Sequence, residues 1–482
     1  MKQHQKITVI LTAALLIVQN GSLFSTAAYA ADSNREQTLQ ETYLQWKDTY
    51  VMEDTYVQTG DPQYYVSYSD ERYAGDGVSV PVTVSEAHGY GMLITVCMAD
   101  YDTDAKSTFD GMYRYYRAHL SDIGPNLMSW QQCDNGTALI DGATDGAMQG
   151  GEADSATDGD LDIAYSLLLA DQKWGSDGII NYRETALSVI NDIMEYEVNQ
   201  TDWLLQLGDW VHWSEPGETY YHATRSSDFI LQYFPIFADV TGDPRWNQLY
   251  DGTCAVIASI TEEQQTGLLP DFIIKDANGK LIPAPANFLE DVTDGQYAYN
   301  SCRTPWRLGV DNLYHAKNET IETVLNKLNQ WIQKTTNGDP DQIMAGYTLD
   351  GTATEDYNDL CFVAPFLVAA ACDSASSEWE ETLWDYISNY GEDVYYGDTI
   401  RLLCMISVTD HWLVPETSNE ETKGDINADG KTDLTDLVML HRYLLRRDTL
   451  TLEQWQRADY NLDKAVNITD SILLRRFLLQ VQ

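Results

Sequence analysis

The sequence predicts an all-α protein built around one large helical domain. Apolar residues recur at helical spacing in roughly twelve segments before about residue 412, and we find no convincing alternating strands of any length. The segments follow one another in pairs. Six such pairs fit an (α/α)6 barrel, with inner helices that are apolar on both sides and active-site loops at one end, but periodicity alone fits a helical solenoid equally well.

The predicted helices are separated by four long loops, at 121–155, 200–225, 264–300 and 336–355. Loops of this length inside a compact helical domain are usually functional. The segments with helical spacing are 36–48, a helix that begins near 85, 103–120, 156–174, 182–197, 226–240, 244–259, 305–314, 320–334, 356–371, 378–389 and 398–408.

The composition is that of a folded, strongly acidic protein. Acidic residues outnumber Lys and Arg by 75 to 29, which gives a formal charge of -46, while 44% hydrophobic residues are ample for a core. Such a field repels nucleic acid and anionic membranes, so we expect neither as a partner. It would attract a cationic ligand, although acidity also serves solubility.

Residues 1–30 have the layout of a cleaved secretory signal. Lys2 and Lys6 precede an apolar run, and the segment closes with Ala28-Tyr29-Ala30. We therefore expect a secreted, extracellular protein whose mature chain starts at Ala31. Seven cysteines are scattered without metal spacing, and several lie within apolar runs, which favours buried free thiols over a disulfide framework.

Three carboxylates stand at the start of the segment that begins at Ala156. Asp158, Asp160 and Asp162 precede a continuous apolar pattern. By itself, this pattern is typical of a helix whose Thr157 or Asp158 caps the first turn. The run Ala-Thr-Asp-Gly-Asp, followed by Ile163 and Ala164, also resembles the signature of glycoside hydrolase family 8. This resemblance implies a closed barrel with Asp158 in the active site.

A second family 8 signature is similar to the run Val84-Ser-Glu-Ala-His-Gly-Tyr-Gly-Met92. The resemblance implies that Glu86 is the general acid. Cleavage of a glycosidic bond needs a protonated carboxyl, and burial beside aromatic rings such as Tyr90 would raise the pKa of Glu86. The local alternative is that Ser85 caps the helix and Glu86 is an acid of its first turn.

The catalytic base is not at the position that one branch of the family uses. That branch has an Asp after a tyrosine, where this chain has Tyr299-Asn300, and an amide cannot take up a proton at neutral pH. The stretch resembles the branch of chitosanases and lichenases, which implies a base in the preceding loop. We assign it to Glu290, with Asp291 and Asp294 in reserve; a solvated acidic loop is the alternative.

Aromatic residues in the long loops are candidates for stacking on sugar faces, and each could equally belong to the core. Arg303 can orient Asn300 or a carboxylate through a forked hydrogen bond, although a structural ion pair fits as well. The predicted substrate-binding residues are Tyr90, Trp130, Trp210, Tyr299, Asn300 and Arg303, and Trp213 is a further aromatic candidate.

The composition shifts at 415–423, a short polar linker, which predicts a main domain at 31–414 and a separate module at 424–482. The module carries oxygen side chains at the spacing of calcium loops in two copies, so we expect two Ca²⁺ ions. Asx-rich turns without metal are the alternative. The predicted ligands are Asp425, Asn427, Asp429, Lys431 (carbonyl), Asp433 and Asp436, then Asp459, Asn461, Asp463, Ala465 (carbonyl), Asn467 and Asp470.

Two such loops, each followed by one evident helix, resemble a type I dockerin, the module that binds cohesin repeats of a cellulosome scaffold. Leu434-Thr435 and Ile468-Thr469 occupy the recognition pairs and differ from the usual Ser-Thr. The two resemblances together imply a secreted, inverting endo-β-glycanase. The dockerin favours β-glucan as substrate, the acidic barrel leaves chitosan open, and Asn300 leaves open a carbohydrate-binding protein without catalysis.

Overall fold

The computed structural model describes residues 34–58, 60–75, 77–142, 153–391, 394–416, 423–460 and 466–480. The predicted signal segment lies outside these ranges, as does most of the predicted linker. Within them, twelve α-helices precede residue 416: α1 (34–50), α2 (Ser85–Cys97), α3 (Ala105–Ala118), α4 (Thr157–Trp174), α5 (Tyr182–Asp192), α6 (Tyr233–Thr241), α7 (Arg245–Thr261), α8 (Thr304–Tyr314), α9 (Glu319–Thr336), α10 (Leu360–Ala371), α11 (Ser377–Asn389) and α12 (Tyr395–Ser407).

The helices form a closed ring, which excludes the solenoid. Helix α12 packs against α2, and α2 packs against α4, while α8, α10 and α12 follow one another on the other side. Inner and outer helices differ as their sequences predict. Every residue of α2 except Glu86 is buried, whereas α5 buries only four residues on one face. The chain therefore forms an (α/α)6 barrel.

Three predicted helices differ from the observed ones. The segment predicted as 226–240 is a 3-10 turn, Ser226–Asp228, followed by α6, and the break occurs at Phe229, whose ψ of 62° is not helical. Helix α5 ends at Asp192 and continues as a π turn, Ile193–Glu197. Helix α10 starts at Leu360 because the Asp359 side chain accepts from the Cys361 N–H and caps it there.

Short strands run through the loops, contrary to the expectation of none. They are β1 (Val51–Glu53), β2 (Tyr64–Val66), β3 (Val80–Val84), β4 (Gln131–Asp134), β5 (Leu139–Asp141), β6 (Val198–Asn199), β7 (Leu204–Leu205), β8 (Thr224–Arg225), β9 (Phe272–Lys275) and β10 (Leu281–Pro283). All pairings are antiparallel, within the sheets β1-β2, β3-β4-β5, β6-β7 and β10-β9-β8. Strands of two to five residues are too short to show alternation in sequence.

The barrel interior forms one continuous apolar core. All seven cysteines are free thiols, as predicted, and all but Cys372 are buried. Among the described residues, none of the helices has the length and apolar character that crossing a membrane requires.

The C-terminal unit has a small core of its own, formed by Ile426, Leu437, Leu440, Ala458 and Leu474. Its helices are α13 (Leu434–Leu444), α14 (Leu452–Ala458) and α15 (Ile468–Gln480), and α13 packs against α15. Helix α14 was not expected from the apolar pattern. It begins with a capping box, in which Thr451 and Gln454 bond each other's backbone N–H groups.

Candidate active site

Glu86 lies in the first turn of α2, where β3 runs directly into the helix. The Ser85 N–H donates to the Trp130 carbonyl at 2.9 Å, which ties this helix start to β4. No side chain caps α2, and the buried Ser85 Oγ has no hydrogen-bond partner within the described chain. The capping interpretation of Ser85 is therefore wrong. The position instead brings α2 close to α4.

Two glycines allow α2 and α4 to approach closely. A Cβ atom added at Gly159 would lie 2.5 Å from Ser85 Oγ and 2.6 Å from its carbonyl carbon. One added at Gly89 would lie 2.9 Å from both the Asp162 Cβ and the Gly159 carbonyl oxygen. Real side chains do not tolerate such contacts, so glycine is required at both crossings. This close packing places the acids of the two helix starts together.

Asp158 does not cap α4, and neither does Thr157. The N-cap residue is Ala156, without a side-chain cap, and Thr157 donates to the Gln206 carbonyl at 2.8 Å. The Asp158 carboxylate, buried at 3% exposure, accepts from Arg303 Nη1 at 2.9 Å. Neither residue is the N-cap, so the capping interpretation is wrong here too; Asp158 is an acid of the first turn, and its carboxylate accepts from the Gly159 N–H at 3.0 Å as well as from the buried guanidinium.

Arg303 links the predicted acid to Asp158 and Asn300. It is 1% exposed, and its Nη1 donates to Glu86 Oε2 at 2.6 Å and to the Tyr90 hydroxyl at 3.0 Å. Its Nη2 donates to Asn300 Oδ1 at 3.0 Å. Arg303 is thus the shared hydrogen-bond donor of the cluster. The forked bond foreseen from sequence is present, and Asn300 accepts one branch of it.

The two carboxyls bonded to Arg303 differ in pKa. Burial raises the pKa of Glu86 to about 7; Arg303 opposes this shift and Asp158 adds to it. Burial also tends to raise the pKa of Asp158, but the positive charges of Arg303 and Arg225 outweigh it, so this pKa is lowered. Near neutral pH the site therefore combines a partly protonated carboxyl, Glu86, with an ionised one, Asp158, an arrangement suited to general acid catalysis.

Glu290 lies at the opposite side of the cluster. Asn300 Nδ2 donates to Glu290 Oε2 at 2.7 Å, and Arg225 Nη2 donates to its Oε1 at 3.1 Å. A chain of hydrogen bonds therefore joins Glu86, through Arg303 and Asn300, to Glu290. The Glu290 side chain is 46% exposed, so solvent reaches it.

Asp294 shapes the loop that carries Glu290. This carboxylate, 1% exposed, accepts from the backbone N–H groups of Leu289, Glu290 and Asp291 at 2.7–3.1 Å. Asp294 thus stabilises the loop and does not line the cavity that contains Glu86, Asp158 and Glu290. Asp291 does not line that cavity either. Of the three acids considered for the base, only Glu290 reaches it.

One cavity of about 480 Å³ brings these groups together. Glu86, Asp158 and Glu290 line it, together with Asn300 and Arg303. Its apolar walls are Trp130, Trp210, Leu207 and Leu289. The Trp210 ring is fixed by an edge contact to Tyr220, with ring centroids 5.1 Å apart. The geometry fits a ring-shaped ligand held between indole rings and carboxylates.

One predicted substrate contact is wrong, and two others lie outside this cavity. Tyr90 is completely buried behind Arg303, to which its hydroxyl is bonded, so it supports the site and cannot touch a substrate. Tyr299 is 44% exposed but lies outside the cavity lining; its hydroxyl bonds Tyr357 and Asp359 at 3.0 Å. Trp213, 73% exposed, is also outside the lining.

Sequence reasoning missed Arg225 and Asp228. Arg225 lines the cavity and bonds Glu290, and burial raises the pKa of Asp228 to about 7, with Asp158 adding to the shift. Asp228 Oδ2 is buried without a hydrogen-bond partner in the described residues. The polar run Arg225-Ser-Ser-Asp228 ahead of an apolar segment was a usable signal. The apolar spacing instead predicts a helix over 226–240.

The first predicted calcium loop is fully described. Asp425 and Asp436 are 2% and 0% exposed, and neither forms an ion pair with a described residue. Asp436 accepts from the N–H groups of Asn427 and Asp433 at 3.0 and 2.8 Å, and Asp425 from those of Asp429 and Gly430. Buried carboxylates without a cationic partner fit an oxygen-ligated cation such as Ca²⁺.

The second loop is described only in part. Asp459, Asn467 and Asp470 are described, and Asp470 accepts from the N–H groups of Tyr460 and Asn467. The predicted ligands Asn461, Asp463 and Ala465 lie outside the described residues. Across the described part of the chain, no three His, Cys, Asp or Glu side chains are arranged so that they could hold a metal.

Comparison with known proteins identifies both parts of the chain. Residues 17–410 match Glycosyl hydrolases family 8, and residues 423–479 match the Dockerin type I domain. A beta-glucanase of Niallia circulans is 41% identical over 386 residues, which cover 80% of this chain and 87% of that protein. An endoglucanase of Bacillus sp. (strain KSM-330) is 34% identical over 410 residues, covering 84% and 83%.

Among solved structures, the apo beta-1,3-1,4-glucanase from Paenibacillus sp. X4 superimposes with a TM-score of 0.70. The two sequences are 40% identical, and the alignment covers 80% of this chain and 94% of the glucanase chain.

Proposed function

Because the chain belongs to glycosyl hydrolases family 8 and carries a type I dockerin, we propose that it is a secreted endo-β-glucanase that inverts the anomeric carbon and joins a cellulosome through its dockerin. The protein is a glycoside hydrolase. The observation that carries the finer proposal is the hydrogen-bonded chain from Glu86 through Arg303 and Asn300 to Glu290, on one cavity.

Glu86 is the general acid of the proposed reaction. Its pKa of about 7 keeps a large share of the carboxyl protonated at neutral pH, although Arg303 is bonded to it. As the bond between C1 and the leaving oxygen breaks, the proton of Glu86 passes to that oxygen. Asp158 remains ionised and holds the sugar ring at the bond that is cut.

Glu290 is the general base. Hydrogen bonds from Asn300 and Arg225 fix its carboxylate, and its exposure gives water access to it. It removes a proton from water while the water oxygen attacks C1 from the face opposite the leaving group. An inverting pair needs room for this water, with carboxyls about 6.5 to 9.5 Å apart. Asn300 is thus a positioning residue and not the base.

A β-glucan is the substrate that the relatives favour. The similar proteins are named beta-glucanase, endoglucanase and beta-1,3-1,4-glucanase, and the first and last are about two-fifths identical to this chain. Two indole rings in the cavity suit the faces of glucosyl units. We therefore infer that mixed-linkage β-glucan is preferred, with cellulose next and chitosan last.

Reducing-sugar release from lichenan, carboxymethylcellulose and chitosan tests the proposal on wild type, Glu86→Gln and Glu290→Gln. We expect lichenan to be cut fastest and each variant to lose about 10³-fold in kcat. NMR of the first products should show the α anomer. An inert wild type would support a binding protein, and activity that survives Glu290→Gln would move the base elsewhere.

For the C-terminal module, we propose calcium-dependent binding to a cohesin, and we retain 31–414, 415–423 and 424–482 as the limits of catalytic domain, linker and dockerin. When bound, Ca²⁺ neutralises the carboxylates of both loops and orders them. The proposed ligands are the twelve residues of the two predicted sets. Leu434 and Ile468, 66% and 65% exposed at the starts of α13 and α15, offer apolar contacts.

Removal of calcium tests the module separately from catalysis. In excess EGTA, we expect the full chain to lose cohesin capture by at least about tenfold while lichenan hydrolysis persists. Readdition of Ca²⁺ should restore capture. Capture that is unchanged in EGTA would contradict the proposal.

A further inference from the structure

A second cavity, of about 370 Å³, lies on the barrel domain outside the catalytic one, and the two share no lining residue. We propose that it is a second saccharide-binding site, which holds a neutral glycan chain beside the catalytic cavity. The ligand class rests on the proposed function. The lining residues that the argument uses are Asp54, Tyr56, Tyr65, Arg72, Tyr73 and Asp134.

The β3–β4 ladder joins the two cavities. At one end, Ser85 bonds Trp130, and both line the catalytic cavity. At the other end, Val80 pairs with Asp134, which lines the second cavity. Asp134 follows Trp130 by four positions, a span of about 13 Å in extended backbone. A short oligosaccharide bridges such a distance, so one polymer chain can contact both sites.

Of the three carboxylates that line this cavity, those of Asp54 and Asp134 are already hydrogen-bonded by the protein, and the third belongs to Glu53. Asp134 accepts from the Tyr56 hydroxyl and the Gly136 N–H, both at 2.8 Å, and Asp54 accepts from the Tyr56 N–H at 2.9 Å. Arg72 adds a positive charge to the lining. The remaining lone pairs suit hydroxyl donors, and Arg72 suits a hydroxyl or ring oxygen as acceptor.

Tyr65 supplies a polar group without a partner. It is only 6% exposed, stacks on Tyr115 with ring centroids 5.5 Å apart, and lines the cavity. Its hydroxyl makes no hydrogen bond to a described residue. Because this hydroxyl is not fully enclosed by protein, a ligand hydroxyl in the cavity can form a hydrogen bond with it.

Tyr73 provides a ring against which a sugar face can pack. The residue opposite is Gly136, where an added Cβ would lie 2.2 Å from the Tyr73 ring. The φ of +83° at Gly136 is also unfavourable for other residues. This glycine therefore lets one side of the Tyr73 ring approach the backbone closely, while the residue also lines the cavity. Three tyrosine rings with hydroxyl-compatible groups are typical of a pyranose site.

Ligand stoichiometry tests the proposal on the full chain carrying Glu86→Gln, so that the ligand is not consumed. By calorimetry with a mixed-linkage β-glucan trisaccharide, we expect two sites per chain. Adding Tyr73→Ala should leave one site. Adding Tyr65→Phe, which keeps the ring stack, should weaken the second site by about fivefold, the effect of one lost hydrogen bond. Tyr101→Ala, an exposed tyrosine in neither cavity, should keep two sites.

The outcomes separate this proposal from the proposed function. One site that neither Tyr73→Ala nor Tyr65→Phe alters, or no binding at all, would overturn the second site, while hydrolysis of lichenan by the wild type judges the proposed function independently. A glucosamine trisaccharide that binds the second site more tightly than the neutral one would also overturn it, because it would indicate a cation site. Melting curves verify that each variant folds.

Discussion

The two proposed catalytic carboxyls lie in unlike surroundings. Glu86 is on an inner helix whose other residues are all buried, and its side chain is 19% exposed. Glu290 is on a loop, and its side chain is 46% exposed. Burial therefore dominates the acid, and its pKa rises to about 7. The base is positioned by hydrogen bonds from Asn300 and Arg225 and by a loop folded around Asp294.

The difference shows that the two groups depend on different parts of the fold. The acid depends on the close crossing of α2 and α4 at Gly89 and Gly159, which sets both its burial and its distance to Asp158. The base depends on a loop whose shape is held by the hydrogen bonds that Asp294 accepts from three backbone N–H groups. Substitutions at the crossing of α2 and α4 should therefore change the protonation of Glu86, whereas substitutions at Asn300 should change the position of the Glu290 carboxylate.

The largest expected effect is a contrast in leaving-group dependence. Glu86→Gln should lose about 10³-fold in kcat/KM on a glucan, whose leaving oxygen needs a proton, but much less on a dinitrophenyl glycoside, whose leaving group departs unprotonated. Glu290→Gln should be impaired on both, because water must still be activated. Steady-state kinetics on the two substrates measures this. Equal losses for Glu86→Gln on both would remove Glu86 as the acid.

The next effect comes from the link between the two carboxyls. Asn300→Ala removes the 2.7 Å bond to Glu290 and should lower kcat/KM by about 10- to 100-fold, because a small displacement of the base is costly. The melting temperature should change little. Asn278→Ala, on an exposed turn between β9 and β10, is the matched control and should retain full activity. Activity equal to wild type in Asn300→Ala would contradict the positioning role.

The smallest expected effect is the change of kcat/KM with pH near neutrality. Glu86 acts in its protonated form, so kcat/KM should fall about tenfold per pH unit above about 7, the pKa of its carboxyl. Because this pKa is raised from 4.5, protonation of Glu86 stabilises the folded chain fully below pH 4.5, and that stability is lost as pH rises through 7.

Two variants show which carboxyl causes the fall of kcat/KM above pH 7, the alkaline limb of the profile. It should vanish in Glu86→Gln and persist in Asp228→Asn, since Asp228 also has a pKa of about 7 but does not line the cavity. A limb that moves with Asp228 and not with Glu86 would indicate that burial of Asp228 sets the profile.

The fold was largely predictable because inner and outer helices carry different apolar patterns. The exceptions have local causes: residues 226–228 form a separate turn, and the strands are too short for a period. For the site, the resemblance to family 8 implied Glu86, Asp158 and Glu290, which share one cavity, whereas the local patterns fitted first-turn acids and a solvated loop as well. The prediction for Tyr90 is wrong because the local sequence around an aromatic residue near an acid is the same whether its ring faces a ligand or the core.

The sequence by itself determined the all-α class, the positions of the acids at helix starts and in a loop, and the two calcium-loop patterns, because these depend on spacing between near neighbours. Tertiary structure alone decided that α12 meets α2 and closes the ring, that Arg303 donates to the Asp158 carboxylate, and that Arg225 reaches Glu290. These contacts join residues that are 65 to more than 300 positions apart in the chain. A local sequence pattern does not identify which distant side chain will pair with a given carboxylate.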